Sequence, residues 1–272
     1  MKRIFLLSFF LIGAFLCGAV EKQIPAIYFS GKEFNIIAAR KGHIQGMAIS
    51  PDAVYLGYDH GVFKFDRQGK FIKFTSGPNH TGDVCYHNGY IYSAVVYFDE
   101  LRKGRGCVMQ YDENLRLIRT YELDIPLDGI TCHGGYLYFG RVGSPKFHRG
   151  NEVYRIAADF SGKPEKFDTD HGYETISGAQ NICTDGKLIY MSYYVKRTTP
   201  AVGIFTSDMK LVGTVDFPAR TGFETVVFPE APGKVYFARL VSLYDRKKSE
   251  KPAFRIDFYR FVDGKMVNVT KM

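Results

Sequence analysis

Residues 46–59, GMAISPDAVYLGYD, contain the pattern that decides the fold. A short apolar segment is followed by the turn residues Ser-Pro-Asp and then by a second apolar segment built around tyrosine. Two short apolar runs separated by a tight turn are typical of a β-hairpin. The same pattern recurs in four later stretches: DVCYHNGYIYSAVV from Asp83, GITCHGGYLYFGRV from Gly129, QNICTDGKLIYMSYY from Gln180 and ETVVFPEAPGKVYFARL from Glu224.

These five hairpins recur at a nearly regular interval of roughly 40 to 50 residues, and a second hairpin follows each of them. The segment VFKFDRQGKFIKF, for example, follows the first one. Each repeat therefore holds four strands, and four-stranded repeats of this length are typical of a β-propeller. We predict an all-β chain that forms a propeller of five blades, each with four antiparallel strands. Six blades are the alternative, if the two termini build one more blade together.

The stretch IYFSGKEFNIIAAR, residues 27–40, precedes the first repeat. We predict that it adds a strand to the last blade and closes the ring, because closure removes exposed strand edges. No helical periodicity is found after the first 20 residues, so no helix is predicted. With these repeats the chain resembles the five-bladed β-propeller superfamily, and the resemblance implies a fold without implying a function.

The first 19 residues are predicted to be a secretory signal peptide. They begin with Lys2 and Arg3, continue with an apolar stretch that is too short to span a membrane, and end in small residues before a cleavage point after Ala19. We therefore predict a secreted or periplasmic protein with a single propeller domain over residues 20–272, no transmembrane segment and a monomeric state. A lipoprotein anchored through Cys17 is the alternative.

Four cysteines remain after removal of the signal: Cys85, Cys107, Cys132 and Cys183. Cys85, Cys132 and Cys183 lie inside apolar strands, and none of the four shows the paired spacing of a zinc site. Buried free thiols are therefore predicted, although an oxidising compartment would permit disulfides.

Polar residues stand at the beginning of each innermost strand. HIQGMAIS, residues 43–50, starts the first of these strands with His43 and Gln45. The equivalent positions of the other blades hold His80 with Asp83, Asp128, Gln180 with Asn181, and Glu224. Buried polar groups cost stability unless they are paired. The pattern indicates either a ligand pocket at the mouth of the channel or a network of side chains that cap one another and trapped water.

The HIQG segment is also similar to the Thr-Gln-Gly strand of the plant-type glutaminyl cyclases, which are five-bladed propellers as well. The tryptophans of that family's pattern are missing, because this chain contains no tryptophan.

The connections between the second and third strands of blades two to five are long, and they share a face with the beginnings of the innermost strands. Long loops on a rigid scaffold usually carry function. These loops are rich in basic residues, consistent with the net charge of +8: Arg102, Lys103, Arg105, Arg141, Lys146, His148, Arg149, Lys196, Arg197, Arg246, Lys247, Lys248 and Lys251. A basic rim concentrates anions, so an anionic partner is predicted, an acidic glycan first of all, and not a nucleic acid.

Two functions follow from this pattern. The first is a binding module whose ligand-binding residues are His43, Gln45, His80, Gln180, Asn181, Arg141, His148, Lys196 and Arg246. The alternative is a carbohydrate-active enzyme, since five-bladed glycosidases of the arabinanase and levansucrase type place three carboxylates at the axis. That similarity implies Glu224 as acid, Asp83 as base or nucleophile, and Asp128 as a tuning group. No cofactor is predicted beyond an optional divalent metal held by His43, His80 and Asp83.

Overall fold

The computed structural model describes residues 23–38, 42–78, 80–97, 101, 104–142, 148–195, 202–219, 222–243 and 254–272. The predicted signal peptide lies outside them. The described chain begins with β1 (Ile24–Pro25), β2 (Ile27–Tyr28) and the helix α1 (Lys32–Ala38). Blade 1 holds β3 (Ile44–Ile49), β4 (Ala53–Tyr58), β5 (Gly61–Asp66) and β6 (Phe71–Ser76). Blade 2 holds β7 (Thr81–His87), β8 (Tyr90–Val96), β9 (Gly106–Asp112) and β10 (Leu117–Leu123).

The remaining blades follow the same order. Blade 3 holds β11 (Leu127–His133), β12 (Tyr136–Arg141), β13 (His148–Ala157) and the first part of β14 (Glu165–Thr184). Blade 4 holds the last part of β14, β15 (Ile189–Val195), β16 (Val202–Phe205) and β17 (Leu211–Val215). Blade 5 holds β18 (Phe223–Val227), β19 (Val235–Ser242), β20 (Phe254–Val262) and β21 (Lys265–Asn268), and β22 (Thr270–Lys271) ends the chain. The predicted all-β propeller is confirmed, with five blades and not six.

Strand β14 is 20 residues long and belongs to two blades. Its first part pairs with β13 as the outer strand of blade 3, and its last part pairs with β15 as the innermost strand of blade 4. Register shifts on either side of Ala179 mark the passage between the two pairings. Blades 3 and 4 therefore form one continuous sheet of seven strands.

The ring is closed by the N-terminal segment, as predicted. Ile27 and Tyr28 in β2 pair with Ile256 and Arg255 in β20, beside the pairing of β20 with β21. Next to this junction β1 runs parallel to β22, so that the two described ends of the chain are paired with each other. Blade 5 is therefore completed by strands from both ends of the chain.

The expectation that no helix follows the signal is wrong, since Lys32–Ala38 forms α1. Its Phe34 is fully buried, with its ring centroid 5.2 Å from that of Phe63 and 5.1 Å from that of Phe65. A helix of two turns has little stability of its own and depends on such tertiary contacts. Sequence periodicity cannot reveal an element this short.

No helix among the described ranges has the length and apolar character needed to cross a bilayer.

Within the described residues the core consists of five apolar clusters, each between two consecutive blades. One cluster contains Met47 of blade 1 together with Phe258 of blade 5, which shows that the last blade packs against the first. The other four occupy the interfaces from blade 1 to blade 5 in chain order. The four cysteines predicted to be buried free thiols are buried and free: Cys85, Cys107, Cys132 and Cys183.

We expect Phe34→Ala to lower the free energy of unfolding by about 3–5 kcal/mol. The substitution leaves a cavity beside the rings of Phe63 and Phe65, in the apolar cluster between blades 5 and 1. Ile72→Ala is the matched control, since Ile72 is 51% exposed on β6 and its loss should cost less than about 0.5–1 kcal/mol. Urea denaturation of the three proteins measures the difference. Equal effects of the two substitutions would mean that α1 does not stabilise the closure.

Candidate functional site

Four polar side chains meet where blades 1 and 2 begin, and we name them the mouth cluster: His43, Gln45, Asp59 and His80. Asp59 joins the other three. Its Oδ2 lies 3.1 Å from His43 Nδ1 and accepts the His43 backbone amide at 3.0 Å. Its Oδ1 lies 2.8 Å from His80 Nδ1 and accepts Gln45 Nε2 at 2.6 Å. A single carboxylate therefore orients two imidazoles and one amide.

The backbone brings Asp59 to this place. Asp59 directly follows β4, in the short turn that leads to β5, and its amide donates to the His43 carbonyl at 3.2 Å. Its own carbonyl accepts the Thr81 amide at 3.2 Å, which joins the turn to the beginning of β7. Gln45 Nε2 completes the cluster, 2.8 Å from His43 Nε2 and 3.0 Å from His80 Nε2.

Asp59 is the member that sequence reasoning missed. The prediction considered the beginnings of the innermost strands and the long loops, whereas Asp59 lies in the shortest connection on the same face. Its position directly after the apolar strand β4 was the sequence signal that could have placed Asp59 on that face.

The residues of the mouth cluster differ in how exposed their side chains are and in how their pKa values are shifted. The side chain of His43 is 59% exposed, against 16% for His80 and 11% for Asp59. Burial disfavours the Asp59 carboxylate, but hydrogen bonds from His43, His80 and Gln45 outweigh burial and hold its pKa well below the usual range. Burial likewise opposes a proton on His80, yet the hydrogen bond to Asp59 and the charges of Asp128 and Asp59 raise its pKa. The mouth cluster therefore combines a carboxylate whose pKa is lowered with an imidazole whose pKa is raised.

The predicted axial carboxylate Asp83 is enclosed. It is 1% exposed, its Oδ2 accepts the amides of Ile130 at 3.2 Å and Ile182 at 3.0 Å, and its Oδ1 accepts Asn181 Nδ2 at 3.1 Å. A Cβ at Gly46 would lie 2.2 Å from Oδ1, so the strand of blade 1 packs directly on the carboxylate. Asp83 is part of the frame and offers no accessible oxygen to a substrate.

Asp128 and Glu224 are buried as well, at 4% and 8% exposure. Asp128 Oδ2 accepts Gln180 Nε2 at 2.6 Å, and its enclosed Oδ1 has no hydrogen-bond partner within the described part of the chain. Glu224 Oε1 accepts the Thr225 amide at 2.7 Å. Burial is the main cause that raises the pKa of Asp128 to about 7 and that of Glu224 to about 8. Burial also raises the pKa of Asp83 well above its ordinary value.

The proposed metal ligands His43, His80 and Asp83 are not brought together. Both histidines contact Asp59, whereas the oxygens of Asp83 are taken by Asn181 and by backbone amides. Over the described ranges, no group of three or more His, Cys, Asp or Glu side chains is arranged to hold a metal ion. The structure therefore gives no support to a metal at this set of residues.

The other predicted ligand-binding residues have different positions. Gln180 and Asn181 are buried and hydrogen bonded inside the axial network. Arg141 pairs with Glu152 at 2.7 Å, at the end of β12. His148 is described by its backbone alone, opposite Thr175. Lys196 and Arg246, like most of the basic loop residues, lie outside the described residues.

Comparison with known proteins supports the fold. No family model matches the chain, and no curated protein shows significant similarity of sequence. The glutaminyl cyclase of Myxococcus xanthus matches in structure with a TM-score of 0.57 at 11% identity, over 87% of this chain and 95% of that chain. A thermostable family-43 glycoside hydrolase matches with a TM-score of 0.52 at 11% identity, over 84% and 93%. A protein of unknown function from Bacteroides caccae matches with a TM-score of 0.53 at 11% identity, over 84% and 82%. At these identities the likeness is one of fold alone.

We expect Asp83→Ala to destabilise the protein severely. The substitution leaves the amides of Ile130 and Ile182 and the Asn181 side chain without an acceptor, and each stranded buried donor costs about 1–3 kcal/mol. Asp124→Ala is the control, because Asp124 is 86% exposed in a surface ion pair with Arg105 and should change stability by less than about 1 kcal/mol. Chemical denaturation of both variants gives the comparison, and similar values for the two would refute the structural role of Asp83.

We also expect the free energy of unfolding to fall as the pH rises from about 5 to about 8. Burial raises the pKa of Asp128 to about 7 and that of Glu224 to about 8, whereas the ordinary pKa of either side chain is about 4. The folded state therefore holds protons that the unfolded state has already released, and it loses this advantage as the pH passes the folded pKa. The raised pKa of His80 acts in the same direction.

Urea denaturation at several pH values measures the effect. Glu224→Gln should remove the share of the slope that Glu224 contributes, on the order of 3 kcal/mol across this pH range. A stability that is flat or that rises toward pH 8 in the unmodified protein would show that these carboxyls are not protonated in the folded state.

Proposed function

We propose that the protein is a binding propeller that captures an anionic ligand, of the acidic glycan class, at the mouth cluster. The observation that carries this proposal is the pair of imidazoles on Asp59, of which His43 is more than half exposed. The N–H groups of an imidazole are donors to a carboxylate or sulfate group. The oxygens of Asp59 are already bonded to the two imidazoles and to Gln45. The axial carboxylates are buried, so that a ligand at the mouth meets the exposed imidazole of His43.

The charge of the chain supports an anion rather than a neutral ligand. The net charge is +8, and the sequence places many of the basic residues in the long loops of the same face. Such a field raises the local concentration of anions and speeds their capture. The predicted signal peptide agrees with this proposal, because acidic glycans are met outside the cytoplasm. We accordingly infer a secreted or periplasmic monomer with a single propeller domain.

A glycoside hydrolase is the second candidate, and one specific observation favours it. Asp128 and Glu224 hold protons near neutral pH, as the general acid of a glycosidase does. The family-43 glycoside hydrolase among the structural neighbours shows that a similar scaffold can support such chemistry. Enclosure argues against it here, because Asp83, Asp128 and Glu224 are each less than 9% exposed. Binding is therefore the function that the geometry supports best.

We expect His43→Ala to weaken the binding of an oligogalacturonate by about tenfold, or about 1.4 kcal/mol. Its effect on the melting temperature should be small, because the side chain is largely exposed and the residue 43 amide still donates to Asp59. His87→Ala is the matched control: His87 is hydrogen bonded to Asn88 in the β7–β8 turn, on the opposite face. Calorimetric titration measures the affinities, with a neutral galacto-oligosaccharide as the second ligand.

Two outcomes would contradict this proposal. Equal affinity for the neutral and the acidic oligosaccharide, or unchanged affinity in His43→Ala, would remove anion capture at the mouth cluster. Release of new reducing ends, lost in Glu224→Gln but kept in His87→Ala, would replace binding with hydrolysis.

A further inference from the structure

We propose that a cavity at the closure of the ring binds a small carboxylic acid with an apolar body, and that Arg67 holds its carboxylate. The cavity lies on the face opposite the mouth cluster, and this proposal is independent of the function proposed above. We name it the closure cavity, and its lining includes Ile24, Ala26, Ile27, Arg67, Phe228 and Phe258.

The closure cavity lies between the N-terminal segment and the turns of blades 1 and 5. Its blade 1 side contains Pro51, in the β3–β4 turn, and Arg67, in the β5–β6 turn. Its blade 5 side contains Phe228, in the β18–β19 turn. Pro51 follows the end of β3 whereas His43 precedes its beginning, so the cavity and the mouth cluster lie at opposite ends of this strand. With a volume of about 540 Å³ the cavity is in the size range of small-molecule pockets.

Much of the cavity wall is apolar and belongs to the packed core. Ile24, Phe228 and Phe258 are 4%, 7% and 1% exposed, and all three are part of the apolar cluster between blades 5 and 1. Ile27 packs against the same cluster. A wall that the core already holds in place needs little rearrangement on binding. The apolar body of a ligand can therefore be buried there without first ordering the pocket.

The guanidinium of Arg67 is half-buried in the wall of the cavity. Its contacts within the described chain are the Ser50 carbonyl, which accepts Nη1 at 3.2 Å, and the ring of Phe228, whose centroid is 5.6 Å away. A guanidinium carries several N–H donors and stays ionised, so most of its donors have no protein acceptor among the described residues. Burial lowers the pKa of Arg67, as expected for a cation that has lost part of its water. A carboxylate accepts a pair of parallel guanidinium N–H groups and supplies the missing opposite charge.

Arg119 makes the same two kinds of contact away from the closure cavity. Its guanidinium lies over the ring of Phe160 at 5.0 Å, and its Nη1 donates to the Asp159 carbonyl at 2.8 Å. Arg119 is exposed on β10, so water solvates the rest of its donors. Arg67 has matching protein contacts but stands in the wall of a largely apolar cavity. What distinguishes Arg67 is therefore the space beside it, which a ligand carboxylate can fill.

Nearby negative charges limit how many charges the ligand can carry. Glu230 also lines the closure cavity, and both Glu230 and Asp52 act on Arg67 through their charge. A second negative charge on the ligand would be repelled by these carboxylates. The surroundings therefore favour a monocarboxylate over a polyanion.

The N-terminal segment offers no amide to an added peptide strand. The Ile24 amide already donates to the Val269 carbonyl at 2.8 Å. The Ala26 amide donates to the Lys271 carbonyl at 3.1 Å. Pro25 stands between them and has no amide hydrogen. A compact acid therefore suits this side of the cavity better than an extended peptide does.

The unmodified protein gives the first test. A ligand-detected NMR titration compares phenylpropionate with phenylpropionamide, which has the same apolar body but no charge. We expect the carboxylate to bind about tenfold more tightly, because charge-assisted hydrogen bonds are stronger than neutral ones. Equal affinity for the two compounds, or saturable binding of neither, overturns the proposal.

The second test asks whether Arg67 holds the carboxylate. Arg67→Gln should weaken phenylpropionate binding by about tenfold and phenylpropionamide binding much less, since only the charged ligand loses its counter-charge. Arg119→Gln is the matched control, because it removes the same kinds of contact with a ring and a carbonyl elsewhere. Melting temperatures show whether both variants fold. Equal phenylpropionate affinities in the two variants overturn the role of Arg67.

A third variant keeps Arg67 and fills the space beside it. Ala26 lines the cavity and is partly buried, so Ala26→Leu adds volume there while the residue 26 amide still donates to Lys271. Both compounds should bind at least about tenfold more weakly, because the added side chain clashes with them. Unchanged binding overturns the proposal even if Arg67→Gln does not fold. No oligogalacturonate enters these titrations, so a failure of the function proposed for the mouth cluster would leave their outcome unaffected.

Discussion

The carboxylate of Asp83 is the interaction on which the ring depends. The innermost strand of each blade has one edge that faces the axis, where no neighbouring strand can pair with its amides. Asp83 accepts the amides of Ile130 in blade 3 and Ile182 in blade 4, and it accepts the side chain of Asn181. Asn181 in turn donates to the carbonyl of Gln45 in blade 1 at 2.9 Å. The side chains of Asp83 in blade 2 and Asn181 in blade 4 together connect the inner edges of four blades.

The close packing around the axial carboxyls limits where a ligand can bind. Gly46 in blade 1 and Gly82 in blade 2 bring their strands directly against Asp83 and Asp128, so a ligand would have to displace backbone to approach these two carboxyls from those strands. The number of hydrogen-bond donors then assigns the remaining roles. Asp59 accepts hydrogen bonds from His43, His80 and Gln45, and its pKa is held well below the usual range. Asp128 accepts one hydrogen bond, and burial raises its pKa to about 7. Both side chains are buried, so the number of donors separates them.

The fold could be predicted from the sequence because each hairpin is recognisable from neighbouring residues and the hairpins repeat at a nearly regular interval. Each repeat needs a neighbouring repeat to bury its apolar face. The candidate site could be predicted in part, since His43, Gln45 and His80 stand at the beginnings of innermost strands. The rest depends on contacts between distant residues. The saturation of Asp83 requires Asn181 and Ile182, which are 98 and 99 residues away. Asp59 is placed by backbone hydrogen bonds to His43 and to Thr81, and α1 is held by the buried ring of Phe34. Neither contact produces a periodic pattern in the sequence.

The enclosure of Asp83 agrees with the binding function that we propose for a fold also found in a glycoside hydrolase. Catalysis by Asp83 would require its oxygens to leave the amides of Ile130 and Ile182, and each buried donor so abandoned costs about 1–3 kcal/mol. Capture of an anion at His43 displaces only water, since that side chain is already exposed. The energy needed to free Asp83 therefore favours the mouth cluster as the binding site that we propose. Asp128, which accepts a single hydrogen bond in this enclosed region, has its pKa raised to about 7 by burial.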